Sequence, residues 1–210
     1  MKRFLIILLV LVGGFFIYKN YFKKKDTPRE KPVPLTVSKH SEGFNQSVNE
    51  ILTNYYSMVD GFVNWDSAEV NKNALSLQQA LLHFKADDLG KDTAIYQTVI
   101  FPWDNSKNSV SEIISSGDWH QKRKALQDLS ENLRMILITV KYDRAISYWQ
   151  ECPMAFGEGQ SGNWLSDKET IVNPYLGKKD PQHGDNMLNC GETKSVIDFT
   201  KEDSTKVKKL

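Results

Sequence analysis

Across residues 43–142 apolar side chains recur at intervals of three and four, and this periodicity narrows the folds open to the chain. The helical repeat stacks such positions on one face, which has to be buried against a neighbour. Phe44, Val48, Ile51, Leu52, Tyr55, Tyr56 and Val59 form the first stripe, and Asn64-Trp65-Asp66 interrupts it. Asp66 and Glu69 have the spacing of a capping pair, whose first side chain satisfies a free amide of the opening turn. The helix they open carries Val70, Ala74, Leu75, Leu77, Ala80, Leu81 and Phe84. It is expected to stop near Asp88-Leu89-Gly90, with Gly90 in the left-handed cap conformation. Residues 93–116 are less regular. Pro102 lacks an amide and crowds the preceding turn, so two short helices or one broken helix are expected. Asp118 and Gln121 cap a long fourth helix that runs to about Thr139 or Tyr142. Ala125, Leu126, Leu129, Leu133, Ile136 and Leu137 are its apolar positions, and Ser130 and Asn132 are expected to face a neighbour or water. The natural packing of four such helices is a mainly α domain, an antiparallel four-helix bundle over residues 43–145.

Residues 146–200 have a different texture and read as a small irregular or β lobe of the same domain. Short strands are expected at 145–149, 164–165, 171–172 and 196–199. Asn173-Pro174-Tyr175-Leu176-Gly177 reads as a turn, with Asn173 held extended by the proline that follows it. Trp149, Trp164 and Tyr175 are read as filling a core that is short of aliphatic side chains. Residues 201–210 are read as a frayed tail.

The N-terminus is of another kind. Lys2 and Arg3 precede an uncharged run at residues 4–18, and a lysine-rich segment follows it. A basic start and an apolar core are the pattern of an export signal or anchor. No small-x-small cleavage site follows. Extended to Phe22, the run approaches the roughly 20 residues of a bilayer crossing. Residues 1–25 are therefore read as a membrane anchor or signal, inserted through residues 4–22, and the proline-containing residues 26–42 as a tether. The soluble body is expected in the periplasm, at the bacterial inner membrane. Residues 1–42 hold nine basic and three acidic side chains, net +6, whereas the rest of the chain is net −5. An acidic body argues against a nucleic-acid binder, which needs a basic face for phosphates.

Both cysteines, Cys152 and Cys190, fall in the C-terminal lobe. Cys152 is two residues from Met154, and Cys190 three from Met187. Thiolate and thioether sulfurs favour Cu(I) and similar soft ions, with His183 as the one histidine in the region. Two cysteines in an exported chain equally fit a disulfide, and a Cys152–Cys190 bond would stabilise by roughly 4 kcal/mol on a loop-entropy estimate. Two separately buried thiols are the third alternative, and the residues leave all three open. Catalysis has little support. A Cys-His pair through His183 lacks an orienting third residue, and metallopeptidase, P-loop and dinucleotide-binding patterns are absent from the sequence. A non-enzymatic role is expected.

CPMAF from Cys152, GNWLS from Gly162, IVNPYLG from Ile171 and MLNCG from Met187 together resemble the signature of a bacterial family, domain of unknown function 3347. NYYSMVDGFVNWD from Asn54 and QKRKALQDLSENL from Gln121 resemble its upstream helices. The resemblance spans about residues 45–195 and carries Cys152, Pro153, Met154, Trp164, Asn173, Pro174, Tyr175, Gly177, Met187, Cys190 and Gly191. Trp164, Asn173, Pro174, Tyr175, Gly177 and Gly191 are expected to be structural. The resemblance implies an exported or membrane-anchored protein. It makes metal handling a motivated expectation, with copper as the ion and a heavy-metal efflux adaptor or another envelope protein as the partner. The chain departs from the family in the inserted KKDPQHGDN and in Glu151, where some members carry histidine.

Overall fold

The computed structural model describes residues 39–201, and serine and aspartate caps open the four α-helices among these described residues. The expected anchor, the tether up to residue 38 and the tail from residue 202 lie outside the described residues. Helix α1 is Glu42–Asn64, α2 is Ser67–Leu82, α3 is Thr93–Ser115 and α4 is Trp119–Val140. Ser41, Asp66, Asp92 and Asp118 each accept a hydrogen bond from an amide of the first turn they precede. These amides have no partner within a helix, so each cap removes a cost of helix formation. Trp65 ends α1 in the left-handed region, at φ 55°, and turns the chain directly into α2. Among the described residues no helix is long and apolar enough to cross a membrane.

The C-terminal part is a three-stranded antiparallel sheet in the order β2-β1-β3. Its strands are β1, Ser147–Cys152; β2, Gly162–Ser166; and β3, Glu192–Ile197. Cys152 pairs with Gly162 at one end of the β1–β2 ladder, and Glu151 pairs with Glu192 on the other side of β1. The protein is thus mainly helical with a small sheet at its C-terminal side, and helices and sheet lie in one unit.

Helix α1 packs on α2, α2 on α3, and α3 on α4, and β2 lies against α4. Tyr55 of α1 holds these layers together. Its buried hydroxyl lies 2.7 Å from the Ser130 hydroxyl on α4 and accepts the Leu165 amide of β2 at 3.1 Å. Tyr56 makes a similar contact with Ser147 of β1, 3.0 Å away. Ser130 therefore faces a neighbour, whereas Asn132 bonds back to the Asp128 carbonyl of its own helix.

Three expectations are corrected. First, α3 is one continuous helix with Pro102 inside it. Pro102 is buried together with Val99, Ser106, Val110 and Ile113, so packing of one face offsets the lost amide bond. Second, α2 stops at Leu82, and Gly90 follows a single 3-10 turn, Ala86–Leu89, in a right-handed conformation with φ −60°. The early stop lets Phe84 bury against Phe44 and Trp103, while the Trp103 indole donates to the Leu81 carbonyl at 2.8 Å. Third, residues 171–172 form no strand. The Asn173 amide bonds the Leu188 carbonyl at 2.7 Å, so this segment leads into a turn-to-turn contact and not a ladder.

Candidate thiol site

Two turns and one strand end meet at the cysteines. Cys152 closes β1 and is fully buried, while Cys190 is half-buried in the turn before β3. Both are free thiols, and their sulfurs lie 3.4 Å apart. The Cys190 turn is closed by a bond from its own amide to the Met187 carbonyl at 3.0 Å. It is then fixed from outside by Asn173. The Asn173 side chain donates to the Met187 carbonyl at 3.2 Å, while its carbonyl oxygen accepts the Tyr175 amide at 2.9 Å. One buried side chain thus joins the NPYLG turn to the turn that carries Cys190.

Glycines allow the close approaches around this joint. Gly191 has φ 142°, and a side chain there would put a carbon 2.5 Å from the Glu151 carbonyl oxygen. Gly177 has φ 55°, and a side chain would meet the Val63 carbonyl oxygen at the same distance. At Gly162, opposite Cys152, added carbon would collide with Ala155 and the Tyr175 ring. These backbone contacts place the C-terminal turns against the end of α1. The Trp65 indole donates to the Leu176 carbonyl at 2.8 Å, and the Lys178 amide to the Val63 carbonyl at 2.9 Å.

Aromatic side chains close the site on its inner side. Tyr175 is wholly buried beside Phe156 and Trp164, and its hydroxyl donates to the Asn163 carbonyl. Burial holds the Tyr175 hydroxyl well above the usual phenol range. Burial likewise pushes the Cys152 thiol up to about 11, despite the amide of Met154 donating to its sulfur. Charge on this sulfur is disfavoured, because the low-polarity surroundings replace little of the lost hydration. Trp149, Trp164 and Tyr175 are all buried as core, with Arg134 stacked 5.0 Å from the Trp149 ring centroid.

Of the sequence-derived candidates, Cys152 and Cys190 meet directly. Met154 lies in the turn that follows β1 and Met187 in the turn that carries Cys190, with the Met154 side chain exposed and Met187 partly buried against the core. His183 lies in the inserted loop, where its amide bonds Asp180 at 2.9 Å. Among the described residues no three of His, Cys, Asp and Glu are placed to hold one metal ion, so His183 does not join the two thiols as a third ligand of that kind. Pro174 is buried and follows Asn173 into the turn.

Sequence reasoning missed the supports on the helical side. Arg123 is buried with its guanidinium 4.0 Å from the Trp65 ring centroid, and burial pulls its pKa down to about 10. Its stacking backs the same Trp65 that holds Leu176. The one available signal was the interruption of the helical stripe at Asn64-Trp65-Asp66, where Trp65 takes the left-handed conformation. No family model, curated protein or solved structure matches the chain.

Proposed function

We propose that the chain is a membrane-tethered, extracytoplasmic domain whose reduced Cys152–Cys190 pair binds a soft metal ion, Cu(I) above all. The observation that supports it most is the 3.4 Å separation of two free thiols contributed by distant parts of the chain. Two metal–sulfur bonds of about 2.3 Å reach across up to about 4.6 Å, so both sulfurs can contact one ion. Soft sulfur donors prefer such ions, and the thioethers of Met154 and Met187 are the nearest further donors in sequence. Ion binding would replace the thiol protons, which offsets the burial that disfavours an uncompensated thiolate at Cys152. The ion would be bound and passed on, with no reaction at the site.

Several sequence features complete this reading. The apolar run at residues 4–22 would hold the body at the bacterial inner membrane, with the body in the periplasm. The resemblance to domain of unknown function 3347 makes a heavy-metal efflux adaptor or another envelope protein the partner. The four helices are read as an antiparallel bundle that supports the sulfur-bearing lobe.

A second reading has its own support. The same 3.4 Å separation suits a Cys152–Cys190 disulfide, which would make the lobe the stapled part of a structural or interaction module. Thermal unfolding tells the two apart. Under the first reading, Cu(I) raises the melting temperature of the reduced protein and leaves the Cys152→Ser/Cys190→Ser protein unchanged. Under the second, oxidation alone stabilises and Cu(I) has no effect.

A further inference from the structure

We infer that Cys190 is the entry sulfur and Cys152 the resolving sulfur of a thiol–disulfide exchange site, through which a disulfide-bearing oxidant closes the pair. The two sulfurs are in contact but differ in access. Cys152 is fully buried at the strand end, beneath the turn that carries its partner, and Cys190 is half-buried in that turn. An external disulfide has to meet its attacking sulfur nearly in line, and of the two only Cys190 offers an approach from solvent. Cys152 then needs no access, because its target is the Cys190 sulfur 3.4 Å away.

The exchange balances in two steps. The Cys190 thiol gives its proton to water, and the thiolate attacks one sulfur of the external disulfide. That disulfide breaks, one half leaves as a thiolate that takes up a proton, and the other half remains bonded to Cys190. Cys152 then loses its proton and attacks the Cys190 sulfur. The mixed disulfide breaks, the second half leaves as a thiol, and the Cys152–Cys190 bond forms. The two protein thiols are oxidised by two electrons, and the external disulfide is reduced to two thiols.

Ordering follows from the surroundings as well as from access. Full burial shields the Cys152 sulfur from anything in solution, while the second step brings it a target already in contact. Asn173 keeps the Cys190 turn over the strand end throughout, through its bond to the Met187 carbonyl. Gly191 lets the chain leave that turn past the Glu151 carbonyl, where a side chain would hold the two sulfurs apart. Exchange requires no metal, so it stands or falls separately from Cu(I) binding, which uses both sulfurs in either order.

The test uses full-length reduced protein and oxidised glutathione, read by mass spectrometry with peptide mapping. Wild type should lose two hydrogens and accumulate little adduct. Cys152→Ala should accumulate one glutathione on Cys190. Cys190→Ala should react about tenfold more slowly or less when folded, yet at an ordinary thiol rate in denaturant. Because a variant at the buried strand end can fail to fold, brief alkylation of wild type by iodoacetamide provides a second readout, and its first label should fall on Cys190. Equal or faster modification of Cys152 by either route overturns the assignment. So does a wild type whose glutathione adduct persists without closing to the internal disulfide.

Discussion

The side-chain amide of Asn173 donates to the Met187 carbonyl at 3.2 Å, and its oxygen accepts the Tyr175 amide at 2.9 Å. Asn173 is wholly buried, so these bonds form away from water. Replacing it by alanine would leave the Tyr175 amide without its acceptor, while the Met187 carbonyl keeps the Cys190 amide. A buried polar group left in that state costs roughly 1–3 kcal/mol. Asn173→Ala should therefore lower unfolding stability by about 2 kcal/mol in a urea titration. It should also release the Cys190 turn, so that Cys152 in the folded protein becomes open to alkylation.

Tyr55 makes the equivalent joint between the helices and the sheet. Tyr55→Phe keeps the ring in the core but strands the Leu165 amide, while the Ser130 hydroxyl keeps its bond to the Leu126 carbonyl. The loss should be about 2 kcal/mol, seen as a lower denaturant midpoint with an unchanged slope. Ser130→Ala should cost less, because the Tyr55 hydroxyl keeps the Leu165 amide as its donor.

Backbone geometry decides the fate of Gly191. At φ 142°, with the Glu151 carbonyl oxygen 2.5 Å from an added carbon, Gly191→Ala forces the Cys190 turn away from β1. Destabilisation should exceed the roughly 1 kcal/mol of an ordinary glycine-to-alanine change at an unfavourable φ. The rate of Cys152–Cys190 disulfide formation should fall with it. Gly117→Ala is the control, since an added carbon there meets nothing within 4 Å.

Alkaline pH should weaken the reduced protein through Cys152. Burial raises its pKa in the folded state from an ordinary 9.0 to about 11, so the folded state holds the proton more tightly than the unfolded chain. This contribution is fully present below the unfolded value and is lost as pH rises through about 11. Buried tyrosines shift in the same direction, with Tyr56 and Tyr142 pushed up to about 12 by burial. Comparison with Cys152→Ala isolates the thiol: the stability gap between the two proteins should narrow between pH 9 and pH 11. A gap that stays constant would rule out a buried, neutral Cys152.

Much of the helical part was legible because its signals are local. Asp66 and Asp118 cap the helices their spacing assigns, and the stripe from Phe44 to Val59 is the buried face of α1. Pro102 misled because tertiary burial, which no window of sequence displays, outweighs the missing amide. The sheet was legible at Trp164-Leu165, but residues 171–172 pair with no strand because Asn173 takes the Leu188 carbonyl. The meeting of Cys152 and Cys190 was open on residue chemistry alone, since 38 residues separate them in sequence and the contact depends on glycines and one buried asparagine. The Arg123–Trp65 stack was out of reach, because nothing in the polar run at the start of α4 marks Arg123 as the side chain that turns inward.

Cu(I) competition against a chromogenic chelator tests the central claim most directly, on reduced, oxidised and Cys152→Ser/Cys190→Ser protein. Reduced wild type should withdraw about one equivalent of Cu(I) from the chelator, as two convergent soft ligands require. The oxidised protein and the double variant should withdraw none. A reduced protein that leaves the chelator complex intact, or a double variant that competes as well as wild type, would contradict a metal site built on these two sulfurs.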